Sequence, residues 1–231
     1  MRMAALKVGM YKYASNWSAS DTANALRLIH ASLPEIYPLS IPIGQGHAVN
    51  LPSPESFSRA SLPNSIVDES PVFLSFRSHA GIRIDVSENE GASLRPGVLL
   101  MTIPHVSQVA HPGLWDFIAG ALQVNAQTAV AGDAELFREM HRRALAVPSA
   151  RAPLAVCWLN YWCPEWVSRL TADELSSLRA AATRIETLPN GALVFALQDE
   201  PYESDNPFHR RRREHVEAVL HLESIQRRLA T

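Results

Sequence analysis

The run from Leu154 to Trp166 constrains the fold more than any other part of this chain. It holds three of the five tryptophans and both cysteines of the 231 residues. On a strand, Trp158, Asn160 and Trp162 face one way and the residues between them face the other. Both faces are largely apolar, so the strand belongs in a sheet that is covered on both sides. We expect Trp158 in the core, and we expect a buried Asn160 to bond to an adjoining loop.

The composition is that of an ordinary globular protein. Apolar residues make up 47% and charged residues 19% of the chain, and the formal net charge is −2. A domain that binds nucleic acid is normally basic, so this balance argues against a general polyanion binder. Two cysteines are too few for a disulfide scaffold or a four-thiolate zinc site. We therefore expect reduced thiols that serve as small hydrophobic residues.

The beginning of the chain and its hydropathy suggest a location in the cell. Residues 1–8 lack the apolar run and the cleavage site of a signal peptide. No stretch approaches the roughly 18 uninterrupted apolar residues of a membrane span. The sequence therefore predicts a cytoplasmic protein without a membrane contact.

Helix signals occur at several places. Ser18–Asp21 and Thr171–Glu174 offer N-caps, the second as a capping box. Asp133 could cap a helix that runs to Ala146. Further helices are predicted over residues 114–129 and 207–229.

Strand signals are joined by short turns. Residues 6–13 predict an opening strand, and residues 72–103 predict a β-meander that first turns at His79–Gly81. Pro189-Asn190-Gly191 favours a hairpin, because Asn and Gly tolerate positive φ. Regular βαβ alternation is absent. The sequence therefore predicts an α+β fold, with a mixed, largely antiparallel sheet and helices packed against it.

Residues 34–71 differ in character from the rest of the chain. Seven prolines punctuate this region, and proline blocks both helices and central strands. We predict a long irregular region with one short helix near Glu55–Ala60. Such a region is often functional. It is expected to lie inside a single domain that spans residues 1–231.

The chain carries no recognisable motif for catalysis or metal binding. His-Glu-x-x-His, Cys-x-x-Cys, Gly-x-Ser-x-Gly and P-loop patterns are all missing. His209, His215 and His221 recur every six residues, so successive ones point about 240° apart on a helix. We expect no enzyme activity, no cofactor and no metal. The alternative is a small cytoplasmic hydrolase or transferase of unrecognised family that uses His105 or His111 with a carboxylate.

A cluster of acidic residues follows the apolar strand 193–197. Asp199, Glu200, Glu203 and Asp205 surround Tyr202. The simple interpretation is a solvated loop whose acids also favour the N-terminus of the next helix. The functional interpretation is a docking patch for a basic partner, such as the cleft of an enzyme that acts on nucleic acid.

The dense basic run is Arg210-Arg211-Arg212-Arg213. Four consecutive helical residues point all round the helix, so they cannot form one stripe along a phosphate backbone. We expect a solvated helix start in which Glu214 and Glu217 pair with Arg210 and Arg213. Contact with nucleic acid is a weaker alternative.

Parts of the chain resemble a known family. Trp158-Leu159-Asn160-Tyr161, the Pro-Asn-Gly hairpin, Asp199-Glu200-Pro201-Tyr202 and Asn206-Pro207 precede a last helix. This layout resembles the C-terminal part of bacterial polymorphic-toxin immunity proteins, above all immunity protein family 52, which is paired with restriction-endonuclease-like toxins. The stretch Tyr11–Trp17, followed by an Ala-rich helix, fits the same pattern.

The resemblance implies a non-enzymatic inhibitor. Such a protein binds and neutralises a cognate nuclease toxin, encoded by a neighbouring gene and delivered between bacteria by a contact-dependent system such as type VI secretion. It acts by occluding the active site of the toxin or by locking its conformation, without contacting nucleic acid itself. Tight inhibition needs an aromatic or Arg anchor with charged surroundings. The predicted partner-binding residues are therefore Asp199, Glu200, Tyr202, Glu203, Asp205, Trp162 and Trp166.

Overall fold

One antiparallel sheet organises the protein. The computed structural model describes residues 5–13, 17–44, 47–58, 62, 72–88, 97–146 and 155–230. The strands are β1 (Leu6–Lys12), β2 (Leu39–Gly44), β3 (His47–Leu51), β4 (Val72–Ser78), β5 (Arg83–Glu88), β6 (Gly97–Ile103), β7 (Thr128–Asp133), β8 (Leu159–Trp162), β9 (Arg184–Thr187) and β10 (Leu193–Ala196). They form a sheet of ten described strands in the order β3-β2-β4-β5-β6-β1-β7-β8-β10-β9. The predicted α+β class is confirmed.

Seven α-helices pack around this sheet within the described ranges. They are α1 (Ala19–Ser32), α2 (His111–Ala119), α3 (Ala134–Ala146), α4 (Pro164–Val167), α5 (Ala172–Ala181), α6 (Pro207–Val219) and α7 (Leu222–Ala230). The predicted caps are confirmed: Ser18 and Thr171 each form a capping box, and Asp133 accepts a bond from Leu136 N. Among the residues that the structure describes, none of these helices has the length and apolar character needed to cross a bilayer.

The core lies on both faces of the central strands. β1 pairs over its whole length with β6 on one side and over most of it with β7 on the other. On one face Val8, Met10 and Met101 are fully buried. On the other face α3 packs so closely on β7 that a Cβ at Gly132 would lie only 2.8 Å from Leu136. Glycine therefore permits this close approach between helix and strand.

The irregular structure predicted for residues 34–71 is wrong for part of that region. Residues 39–44 and 47–51 form the β2–β3 hairpin at one edge of the sheet. Pro42 is tolerated there because the pairing of β2 with β4 covers only Leu39 and Ser40, so Pro42 loses no ladder bond to β4. A short 3-10 helix covers Pro54–Ser56. Residues 59–61 and 63–71 lie outside the described part of the chain.

Two predicted helices have different bounds. The helix predicted over residues 114–129 ends at Ala119, a 3-10 turn follows, and residues 128–133 form β7. Pairing with the central strand β1 overrides the helix propensity of the alanines in this segment. The last predicted helix is divided into α6 and α7 at His221, whose φ is +48°.

A buried ion pair fixes α1 to the sheet. Lys12 Nζ lies 2.8 Å from Asp21 Oδ1, and both side chains are nearly enclosed. Burial by itself raises the pKa of Asp21, but its bonds to Lys12 and Ser18 outweigh burial and lower that pKa.

We expect Asp21→Asn to lower the free energy of unfolding by about 3 kcal/mol, because Lys12 is left buried without its counter-charge. The contribution of Asp21 is present above its unfolded pKa and is lost as pH falls through the lowered folded value. Urea unfolding at neutral and acidic pH measures both effects. The exposed Asp116→Asn is the matched control, and equal stability of the two variants at neutral pH would contradict the prediction.

Candidate functional site

The candidate site is the acidic loop, which we define as residues 199–206, between β10 and α6. Its carboxylates point outward: Asp199, Glu200 and Asp205 are exposed and Glu203 is half-buried. The loop begins on a fixed base. Trp158 Nε1 donates to Gln198 O at 3.0 Å, and the Gln198 amide donates to Glu200 O at 3.0 Å. The buried tryptophan therefore holds the first residues of the loop in place.

The buried Asp133 carboxylate holds the middle of the loop. Its Oδ2 accepts from Ser204 N at 2.6 Å, and its Oδ1 accepts from Ser204 Oγ at 2.7 Å. The same Oδ1 accepts from Leu136 N at 2.9 Å in the first turn of α3. Hydrogen bonds to an ionised acceptor are the stronger kind. One side chain at the end of β7 thus joins the sheet, a helix and the acidic loop.

Tyr202 is an internal anchor of the loop. Its side chain is buried, its ring lies 6.1 Å from that of His209, and the Arg213 guanidinium lies 5.8 Å from its centroid. Burial raises the pKa of Tyr202, and the positive charge of Arg213 partly offsets this effect. Glu203 N also donates to His209 Nδ1 at 3.1 Å. The prediction that Tyr202 contacts a partner is contradicted, because its ring is buried against α6, where its apolar surface is more stable than in water.

The predictions for Trp162 and Trp166 are also contradicted, since both indoles are at most 3% exposed. β8 lies between β7 and β10, so Trp162 is paired on both sides and packs edge-on against Phe195 at 5.1 Å. Helix α4 turns Trp166 back against Tyr13, with ring centroids 6.1 Å apart. Both tryptophans are buried because β8 is paired on both sides inside the sheet and α4 folds back against Tyr13.

Asn160 behaves as predicted. It is fully buried, and its amide accepts from Cys157 N and donates to Cys157 O, both at 2.8 Å. It therefore pins the segment before β8. Cys157 and Cys163 are free thiols, and burial raises the pKa of Cys157, which disfavours the reactive thiolate.

The arginine run is only partly solvated. Arg210, Arg211 and Arg212 are exposed, but Arg213 is buried. Its Nη1 lies 2.6 Å from Glu139 Oε2 on α3. Because four consecutive residues point around the helix, one of them has to face the protein, and an acidic partner compensates for its burial.

Further ion pairs extend this contact. Arg143 bridges Glu139 at 2.5 Å and Glu217 at 3.1 Å. Burial by itself raises the pKa of Glu139, but Arg213 and Arg143 outweigh burial and lower it. Glu217 also accepts from Val156 N at 3.1 Å, so the network connects α3, α6 and the segment before β8. The predicted ion pair between Arg213 and Glu217 is therefore not formed. Instead, Arg213 pairs with Glu139 and Glu217 pairs with Arg143.

Phe208 is a residue that the sequence interpretation missed. It is 75% exposed in the first turn of α6, directly after the acidic loop. The Asn206 side chain caps this turn by accepting from Phe208 N at 3.0 Å, and the Arg211 guanidinium lies 5.6 Å from the ring. Local sequence gave no signal for its exposure, because the face of α6 that turns inward is set by the ion pair of Arg213 with the distant Glu139.

We use the name docking surface for a set of exposed or half-buried residues of this region. It consists of Asp199, Glu200, Glu203, Asp205, Phe208 and Arg211. The Trp158–Gln198 contact, Asp133 and His209 hold the backbone of the acidic loop in place. The loop that carries these carboxylates is therefore already ordered before any partner binds. Such an arrangement can bind a cationic surface, with Phe208 as the apolar contact.

The two histidines of the alternative enzyme hypothesis have packing or capping contacts. The His111 ring stands edge-on to Trp158 at 5.3 Å, and His105 N donates to Gln108 Oε1 at 2.9 Å. Within the described ranges, no group of three His, Cys, Asp or Glu side chains is placed to hold a metal ion. These contacts do not bring either imidazole to a carboxylate.

No family model and no curated protein matches this sequence. Among solved structures, the fold is similar to that of the Pseudomonas aeruginosa T6SS protein PA0821, with a TM-score of 0.53 and 14% sequence identity. The likeness covers 96% of this chain and 73% of the neighbouring chain. It shows a common fold across nearly the whole chain.

We expect Asp133→Asn to loosen the acidic loop and the start of α3 together, because the charged acceptor of Ser204 and Leu136 is lost. Each bond to a charged group contributes about 1.5–3 kcal/mol. Faster amide hydrogen exchange at both Ser204 and Leu136 is the expected result. Asp173→Asn, at the start of α5, is the control. Unchanged protection at Ser204 would show that Asp133 does not hold the loop.

Proposed function

We propose that this chain is an immunity protein, a non-enzymatic inhibitor that binds and neutralises a cognate nuclease toxin delivered between bacteria. The fold shared with a T6SS protein supports a role connected with that secretion system. The resemblance of residues 158–161 and 199–207 to immunity protein family 52 supports the inhibitory role. The partner would be the toxin encoded by a neighbouring gene.

The observation that carries this proposal is the rigid presentation of the docking surface. Its carboxylates belong to a loop whose backbone is held by hydrogen bonds with the buried side chains of Asp133 and Trp158. A nuclease binds a phosphate backbone through basic side chains, so an acidic surface is complementary to its substrate cleft. A loop that is already ordered avoids most of the entropic cost of binding.

The mechanism would be occlusion of the toxin's active site. The carboxylates would steer association and occupy positions that phosphates otherwise take. Phe208 would supply the desolvated contact that slows dissociation, since aromatic residues dominate the energetics of interfaces. The inhibitor itself then needs neither a cofactor nor a catalytic group.

The direct test is co-expression of this chain with the toxin encoded by the adjoining gene. Protection from toxicity and co-purification of a stable complex are the expected results. Persistent toxicity without a complex would reject the proposal.

We expect the double variant Glu200→Lys/Glu203→Lys to weaken toxin binding, mainly through a slower association rate, because charge steering becomes repulsion. The difference from wild type should shrink as salt screens the charges. Stopped-flow association at several salt concentrations measures this. Asp173→Lys/Glu186→Lys makes the same change in net charge elsewhere. Equal association rates for the two double variants would remove the acidic loop from the interface.

We expect Phe208→Ala to lower the affinity for the toxin by about 30-fold, the effect of a 2 kcal/mol contact. Its loss should appear as faster dissociation, whereas the melting temperature should stay the same because the side chain is already exposed. Ile43→Ala, at another exposed apolar position, is the control. An unchanged dissociation rate of Phe208→Ala would place the contact elsewhere.

A further inference from the structure

A second part of the surface has the opposite charge. The face of the sheet that carries α3 remains accessible over β4, β5 and β6. The exposed or half-buried side chains of this face are Phe73, Ser75, Arg77, Arg83, Asp85, Ser87, Val98, Leu100 and Thr102. Alternate residues of the same strands, such as Ile84 and Met101, are buried on the other face.

Three cations lie in one row across this face, which we call the cationic row: Lys7, Arg83 and Arg77. Arg77 stands directly opposite Arg83, Arg83 opposite Thr102, and Thr102 opposite Lys7. Lys7 Nζ donates to Thr102 Oγ1 at 3.1 Å. The row therefore spans four neighbouring strands, with the neutral Thr102 between Arg83 and Lys7.

The row carries excess positive charge. Arg83 Nε lies 2.7 Å from Asp85 Oδ1, whereas the exposed Arg77 guanidinium makes no ion pair with any described residue. Like charges directly opposite each other destabilise a sheet. The fold itself therefore gains nothing from placing Arg77 across from Arg83.

The cationic row and the acidic loop share one end of the sheet. Lys7 is paired with Gly132 of β7, and the next residue, Asp133, holds Ser204 of the acidic loop. At about 4.8 Å per strand, Lys7 lies about 5 Å and Arg77 about 19 Å from β7. Two patches of opposite sign therefore lie at the same end of the sheet.

We infer that the protein partner of the docking surface also contacts the cationic row, through an acidic patch beside its basic one. This inference rests on the proposed function and adds the charge pattern of the partner. A nucleic acid would meet attraction at the row and repulsion at the acidic loop, because its charge is uniformly negative. A protein that carries both signs fits the two patches, and two opposite patches fix the orientation in which it docks.

The test measures the affinity of the catalytically inactivated toxin of the adjoining gene for Arg77→Glu, for Glu200→Lys and for the control Arg27→Glu. Arg27 is exposed on α1, away from the cationic row. We expect Arg77→Glu and Glu200→Lys each to lower the affinity about fivefold or more at low salt, and Arg27→Glu to change it less than twofold. Arg77→Glu should not lower the melting temperature, because it removes the repulsion with Arg83.

The outcomes separate the two proposals. If Glu200→Lys weakens binding and Arg77→Glu does not, the cationic row lies outside the interface and this inference fails while the proposed function stands. If the wild-type chain does not bind the toxin, both fail. A labelled single-stranded oligonucleotide is the second probe. If it binds the wild type and loses binding in Arg77→Glu, while the toxin affinity is unchanged, the row is a nucleic-acid site and the inference is overturned.

Discussion

The Asp133 carboxylate is the interaction on which the proposed site depends. It lies at the end of a central strand and accepts from Leu136 N, Ser204 N and Ser204 Oγ. A buried charge without partners would be strongly unfavourable, so these three donors are required for the fold as much as for the loop. The position of the acidic residues is therefore set by the register of β7 against β1, well inside the molecule.

The aromatic residues support the same loop from the interior. The indole of Trp158 packs in the core, and its N–H holds the backbone of Gln198. Tyr202 fills the space between the loop and α6, where Arg213 lies against its ring. Large amphipathic side chains dominate both cores and interfaces, so their abundance in a sequence does not distinguish the two roles. Here they build the support, and Phe208 is a large hydrophobic residue that stays exposed beside the loop.

Local signals explain which parts of the fold could be predicted from the sequence. The capping boxes at Ser18 and Thr171, the Asn190-Gly191 turn and the alternation in β5 depend on residues close in the chain. The strand β7 could not be predicted in this way, because its alanines become a strand only through pairing with β1.

In the site, the acidic residues follow a recognisable strand, whereas the burial of Trp162 and Trp166 depends on β8 lying between β7 and β10. The inward direction of Arg213 depends likewise on Glu139, which is distant in sequence.

The distribution of charge separates what stabilises the fold from what is free to bind. Arg213 and Glu139 neutralise each other inside the protein, and Lys12 does the same with Asp21. Arg77 and the acidic loop show the opposite situation, because their charges remain at the surface beside groups of the same sign. Repulsion between these like charges, which rigid elements hold close together, slightly reduces the stability of the isolated chain. These charges become favourable only when a complementary surface approaches, which is the physical reason why we propose these groups for recognition.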